Sequence, residues 1–194
     1  SLGLVGSEMC IRDSNYYYQA PCLFFEEIEE IVNTHTDDDI NNGIFDWGFN
    51  CDMDRTPVTN RDIFSYLSKN IDKFANQIGA KLKLQLNEPW INSYKKGQYQ
   101  ETHDHDGHVF SSVIFLNEGV NFAEFYFVDR TIDPTPHSLK KLLKMEDLWY
   151  PEVNKGDIVI FPAHMLHGVS PHKSDVVRKT LSFNIDVLEV EPNE

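Results

Sequence analysis

The spacing of apolar residues changes at Lys81, and this change sets most of what the chain can become. Before it, Ile63, Leu67, Ile71, Phe74 and Ile78 recur every three or four residues, which predicts an amphipathic helix capped by Thr59 or Asn60 and ended at Gly79. A shorter helix is expected after Pro21, where Phe24, Ile28, Ile31 and Val32 share one face. After Lys81 the period is two. Leu82, Leu84 and Leu86 alternate with Lys and Gln, as in a half-buried strand. Further strands are expected near 90–95, 98–105, 109–117, 122–129, 157–161, 165–170 and 178–188, with a helical insertion over 138–148. Tyr16 to Ala20 reads as extended, and Asp37 to Pro57 as a long loop or loose hairpin. Two helices followed by many short strands predict an antiparallel sandwich or barrel with helices packed outside.

A chain of 194 residues is the size of one domain. Residues 15–194 are taken as that domain. Ser1 to Ser14, "SLGLVGSEMCIRDS", lacks the basic start and apolar core of a signal peptide. It looks like translated adapter sequence from an environmental open reading frame and is set aside. With 17 Lys and Arg against 31 Asp and Glu, the formal net charge is −14. So acidic a chain is not expected to bind nucleic acid or an anionic membrane. The absence of a long apolar run also predicts no transmembrane helix. Cys10, Cys22 and Cys51 form no C-x-x-C pair, so neither a cysteine zinc site nor a disulfide framework is indicated, and a reducing, cytoplasmic setting is expected.

The chemistry concentrates in two segments. "THDHDGH" carries His103, His105 and His108 among Asp104 and Asp106. On a strand, residues two apart share a face, so His103 and His105 can converge on one ion, and imidazoles suit zinc, copper, iron or nickel. An H-x-H alone is a weak signal, since a polar loop produces it too. "GDIVIFPAHMLHGVSPH" then gives a buried strand, a proline stop, His164 and His167. Eleven residues beyond His167, "RKTLSFNID" places Leu181, Phe183 and Ile185 on one face and Arg178, Thr180, Ser182 and Asn184 on the other. Parity does not say which face is inner. Trp90 and Trp149 read as packing groups, His164 as a loop residue near a pocket mouth, His108 as solvated or else as a group that supports the metal site or the substrate, and His35, His137 and His172 as surface residues.

These motifs, taken in order, resemble the iron(II)- and 2-oxoglutarate-dependent oxygenases. "SYKKGQYQETHDH" is similar to the prolyl-hydroxylase signature, with Gly97 and Gln98 six and five residues before His103. "WIN" at 90–92, His103 and His105, "SSVIFL" at 111–116, "FPA" at 161–163, His167 and "RKTLSFN" at 178–184 follow a phage and bacterial branch of the family. The resemblance covers about residues 86–188. It implies a double-stranded β-helix (a cupin-like jelly roll) and a dioxygenase that hydroxylates a small-molecule or peptide substrate with Fe(II), 2-oxoglutarate and O₂. His103 and His167 match the two histidine ligands. Arg178 matches the partner of the distal 2-oxoglutarate carboxylate, with Thr180 beside it and Asn92 and Tyr94 as further co-substrate contacts. Phe115 stands where relatives often carry Tyr. His105 replaces the usual carboxylate ligand, and Asp106 takes that place if a bulge follows His105. A peptidyl proline is one candidate substrate. The rivals are a three-histidine cupin dioxygenase independent of 2-oxoglutarate and a non-catalytic cupin-like binding protein. The sequence leaves the oligomeric state open, a homodimer included.

Overall fold

A computed structural model describes residues 8–12, 15–34, 51–78, 81–128, 137–143 and 147–191. Strands β1 (Glu8–Arg12) and β2 (Asn15–Pro21) precede helix α1 (Phe25–Asn33), the short strands β3 (Cys51–Asp52) and β4 (Asp54–Pro57), and helix α2 (Ile63–Ile78). Then come β5 (Lys81–Leu86), β6 (Trp90–Tyr94), β7 (Tyr99–His103), β8 (Phe110–Phe115), β9 (Phe125–Val128) and helix α3 (His137–Leu143). The last strands are β10 (Leu148–Trp149), β11 (Asp157–Pro162), β12 (His167–Val169) and β13 (Arg178–Glu191). They form two antiparallel sheets, the double-stranded β-helix expected from the sequence. The larger runs β1-β2-β11-β8-β13-β6-β4, with β5 also paired to β13, and the smaller runs β10-β9-β12-β7-β3.

The larger sheet is covered on both faces, and its sequence shows why. Along β11, Ile158 and Ile160 join Leu181, Phe183 and Ile185 of β13 in a core closed by Ile28 and Val32 of α1 and Ile63, Leu67, Ile71 and Phe74 of α2. The alternate residues Val159 and Phe161 point the other way, into a second core with Phe125, Phe127 and Val169 of the smaller sheet. Strands buried on both faces lose the polar alternation of a surface strand. Burial of one such side chain contributes about 1.5–3 kcal/mol. Asn70 is the polar exception on the inner face of α2. Its Oδ1 accepts the Leu23 N–H at 2.7 Å and its Nδ2 donates to the Leu23 carbonyl at 3.1 Å, tying α2 to the start of α1. Cys22 is buried beside it, and burial pushes its thiol up to about 12, which makes it inert packing.

Three local readings are corrected. Within the stretch expected as a long loop or loose hairpin, Cys51–Asp52 and Asp54–Pro57 are strands of the smaller and the larger sheet. Asp54–Pro57 pairs with β6 at the sheet edge, where a strand bonded on one side needs no apolar alternation and tolerates Pro57. Helix α2 begins at Ile63, after a turn in which Asn60 Oδ1 accepts the Asp62 N–H at 3.0 Å. Of the insertion expected at 138–148, the described residues form helix up to Leu143 and strand β10 from Leu148. Residues 37–50 and Gly79 lie outside the described residues. No described helix is long and apolar enough to cross a membrane.

Candidate metal and co-substrate site

The pocket lies between the sheets. On β13, Leu181, Phe183 and Ile185 face the helices, so Arg178, Thr180 and Ser182 face the smaller sheet and line the pocket. This settles the parity left open by the sequence: the inner face at this end of the sandwich is polar.

The smaller sheet supplies the histidines. His103 ends β7 and His167 opens β12, and the two are direct cross-strand partners, with ring centroids 4.3 Å apart. Gly168 permits this pairing. A Cβ there would lie 2.5 Å from Tyr126 Oη and 3.0 Å from the Gln100 carbonyl oxygen. His105 lies past the end of β7. Its backbone N–H is bonded to the Ala163 carbonyl at 2.9 Å, and a turn follows it, with the His108 N–H on the His105 carbonyl at 3.2 Å. One ligand atom from each of His103, His105 and His167 falls within 4.8 Å of the others. Among the described residues, neither Asp104 nor Asp106 enters this cluster.

Each ring is oriented by its other nitrogen. His103 Nδ1 donates to the Glu101 carbonyl at 2.8 Å, His167 Nδ1 to the Met165 carbonyl at 2.9 Å and His105 Nδ1 to Asn184 Oδ1 at 2.7 Å. A carbonyl only accepts, so each proton sits on Nδ1 and each Nε2 keeps its lone pair. His103 Nε2 and His105 Nε2 are 3.2 Å apart, and two lone pairs that close repel unless a cation lies between them. Burial lowers the pKa of all three: His167 well below its ordinary value, His103 less, and His105 to about 4. They are therefore neutral, as metal ligands must be.

The opposite wall offers an anion site. Arg178 is buried over the rings of Tyr94 and Phe115, at 5.1 and 5.7 Å. Burial draws its pKa down, but a guanidinium stays charged at neutral pH. Its Nη1 is buried with no hydrogen-bond partner among the described residues, a costly state that a carboxylate relieves. Asn92 Nδ2 donates to Ser182 Oγ at 2.9 Å and to Thr180 Oγ1 at 3.4 Å, and Tyr94 Oη donates to Gln100 Oε1 at 2.8 Å. Three neutral imidazoles beside a buried guanidinium fit a divalent metal and a dicarboxylic co-substrate.

The comparison with protein families agrees. Residues 88–184 match the family model described as "Putative 2OG-Fe(II) oxygenase". The chain belongs to the 2OG-Fe(II) oxygenase family. It is thus an oxidoreductase that works with Fe(II) and 2-oxoglutarate. No curated protein matches it. Solved structures show the fold of this oxygenase at low identity. A viral collagen prolyl hydroxylase from Paramecium bursaria Chlorella virus-1, in complex with 2-oxoglutarate, aligns with TM-score 0.60 at 16% identity, over 91% of this chain and 98% of that one. A Pseudomonas putida prolyl-4-hydroxylase aligns with TM-score 0.61 at 15% identity, over 88% and 91%. HygX from Streptomyces hygroscopicus, with nickel, 2-oxoglutarate and hygromycin B bound, aligns with TM-score 0.61 at 13% identity, over 88% and 82%.

Several histidines of the oxygenase differ from expectation. His172 is buried, not solvated. Its Nδ1 accepts the Ala123 N–H at 3.0 Å and its Nε2 donates to the Val176 carbonyl at 2.7 Å, so a neutral ring is fully satisfied inside. His108 is half-buried, with Nδ1 3.1 Å from Asp186 Oδ1. His164 is exposed, while His35 and the side chain of His137 lie outside the described residues. Trp90 packs, but in the pocket wall: its ring carries the Arg55 guanidinium at 4.0 Å and faces the His105 ring at 6.2 Å. The sequence reading passed over Gln100 and Arg55, both of which line the pocket. Gln100 was hidden by parity, and Arg55 lay in the presumed loop.

Proposed function

We propose that the protein hydroxylates a small-molecule or peptide substrate, using O₂ and converting 2-oxoglutarate to succinate and CO₂. The observation that carries this reading is the buried Arg178, with an unsatisfied N–H, in the same pocket as three convergent histidine nitrogens. In this reading His103, His105 and His167 hold the iron. Arg178 grips the distal carboxylate of 2-oxoglutarate as a two-pronged donor, and Thr180 adds a hydroxyl contact. Asn92 orients the Thr180 hydroxyl, and Tyr94 lies beneath the guanidinium. When bound, iron and 2-oxoglutarate supply the oxidising power that the side chains lack. The chain contributes orientation, a fixed positive charge and a pocket walled by Phe125, Phe161 and Val169 that limits water. Residues 15–194 are taken as the oxygenase domain.

The likeness to two prolyl hydroxylases makes a proline-containing peptide the first substrate class to test. The likeness to an enzyme crystallised with hygromycin B keeps small molecules in the same screen. The test is succinate and CO₂ release by the Fe(II)-loaded protein under O₂, with and without candidate substrates. Substrate-stimulated release from 2-oxoglutarate supports the reading. O₂ uptake without succinate favours the three-histidine dioxygenase, and no turnover with retained metal favours a binding protein.

A further inference from the structure

The Gln100 side chain points at the metal position by way of a bulge. Val169 pairs with Gln100 and His167 with His103, so β7 spends one residue more than β12 between these pairs. In a regular strand residues three apart face opposite sides. The extra residue puts Gln100 and His103 on the same side, and Gln100 Nε2 lies 3.1 Å from His103 Nε2. The amide orientation is determined by its neighbours. His103 carries its proton on Nδ1, facing the Glu101 carbonyl, so its Nε2 can only accept. Gln100 must therefore present NH₂ to His103, and its Oε1 accepts the Tyr94 hydroxyl at 2.8 Å. Tyr94 in turn lies under Arg178. A polar chain thus runs from the guanidinium to the histidine cluster along one wall.

A divalent ion on His103 takes the lone pair to which Gln100 donates. The Gln100 N–H then loses its acceptor while remaining beside the ion. Gln100 is half-buried, and a donor held partly away from water favours a new acceptor within reach. We propose that Gln100 is a co-substrate-binding residue whose amide N–H exchanges the His103 nitrogen for a metal-proximal oxygen of 2-oxoglutarate. This rests on the reading above, in which the co-substrate spans from Arg178 to the metal and so passes along the Tyr94–Gln100 wall. Metal and co-substrate binding are then linked: the ion releases the donor that the 2-oxo acid uses.

The test is calorimetry of metal binding, with Mn(II), and then of anaerobic 2-oxoglutarate binding, for wild type, Gln100→Met and Gln100→Glu. Methionine keeps the length without a donor. Losing one hydrogen bond to a charged acceptor should weaken 2-oxoglutarate binding roughly tenfold or more. Mn(II) affinity without co-substrate should stay the same or rise, because no hydrogen bond competes for His103. Gln100→Glu should tighten Mn(II) and weaken 2-oxoglutarate further, since a carboxylate attracts the ion and repels the acid. A purely structural glutamine would lower both affinities together. That result, or unchanged 2-oxoglutarate binding in Gln100→Met, overturns the proposal. If wild type loaded with Mn(II) does not bind 2-oxoglutarate, the functional reading itself fails, which is a separate outcome.

Discussion

From Arg178 to Ile185, β13 alternates strictly, one face toward the helices and one toward the pocket, in unbroken register with β8 and β6. From Gln100 to His103, β7 does not, because its register with β12 shifts within the same few residues that carry a ligand. Both strands deliver side chains to one pocket. β13 does so by its period, and β7 by breaking its own. In the proposed reading the larger sheet, through Arg178 and Thr180, forms the anion end, and the smaller sheet, through His103 and His167, forms the metal end. His105, held by Asn184 of β13 at 2.7 Å, joins them.

That division can be broken by substitution. His167→Ala removes a ligand from the directly paired strands and should lower divalent-metal affinity by roughly a hundredfold or more, since even supporting contacts to a ligand contribute ten- to a hundredfold. Calorimetry with Mn(II) measures it, and near-native affinity in the variant would place the metal elsewhere. Arg178→Ala should leave Mn(II) binding intact and weaken 2-oxoglutarate binding by roughly ten- to a hundredfold, equivalent to about 1.5–3 kcal/mol for a charge-assisted pair. Arg178→Lys keeps the charge but loses the fork, and should fall between. Parallel loss of metal binding in Arg178→Ala would abolish the distinction between the two ends.

Acidification sharpens the comparison, because the titrating groups sit at the metal end. His105 is held at about 4, mainly by burial, against an ordinary value of 6.5. Between these values the unfolded chain binds the proton and the folded chain does not. The metal-free protein should therefore lose stability as pH falls through that window, by up to about 1.4 kcal/mol per pH unit for each such histidine. His103 and His167 act in the same direction. Denaturant titrations at several pH values test this, and His105→Asn should flatten the slope. The smallest effect is expected at the sheet edge. Among the described residues β1 pairs with β2 alone, so deleting residues 1–14 should shift Tm by no more than several degrees and leave Mn(II) affinity unchanged.

The same contrast explains what could be read from the sequence. The strand–helix order and the division of β13 into an apolar and a polar row follow from periodicity, because those elements obey it; which row faces the pocket does not. The convergence of His103 with His105 is visible as a spacing, although the regular strand ends at His103. Gln100 was not visible, since period-two counting assigns it to the face opposite His103. Arg55 is missed because its strand, which among the described residues pairs with β6 alone, carries no apolar rhythm. His172 looked like a surface residue because its two acceptor and donor partners, Ala123 and Val176, are backbone groups that leave no mark in composition.

The bulge on β7 makes chain length, more than residue type, the quantity that defines this wall of the pocket. Removing Glu101 or Thr102 while the bulge persists would leave every named site side chain present, yet it would set Tyr99 in place of Gln100 three residues before His103 and carry Gln100 to the outer face. Such a one-codon deletion would disturb no apolar pattern and no histidine, yet it would replace the amide beside the cluster with a phenol. Relatives of this chain should therefore be compared first by the count of residues between the turn at Gly97 and His103, and only then by which residues occupy it.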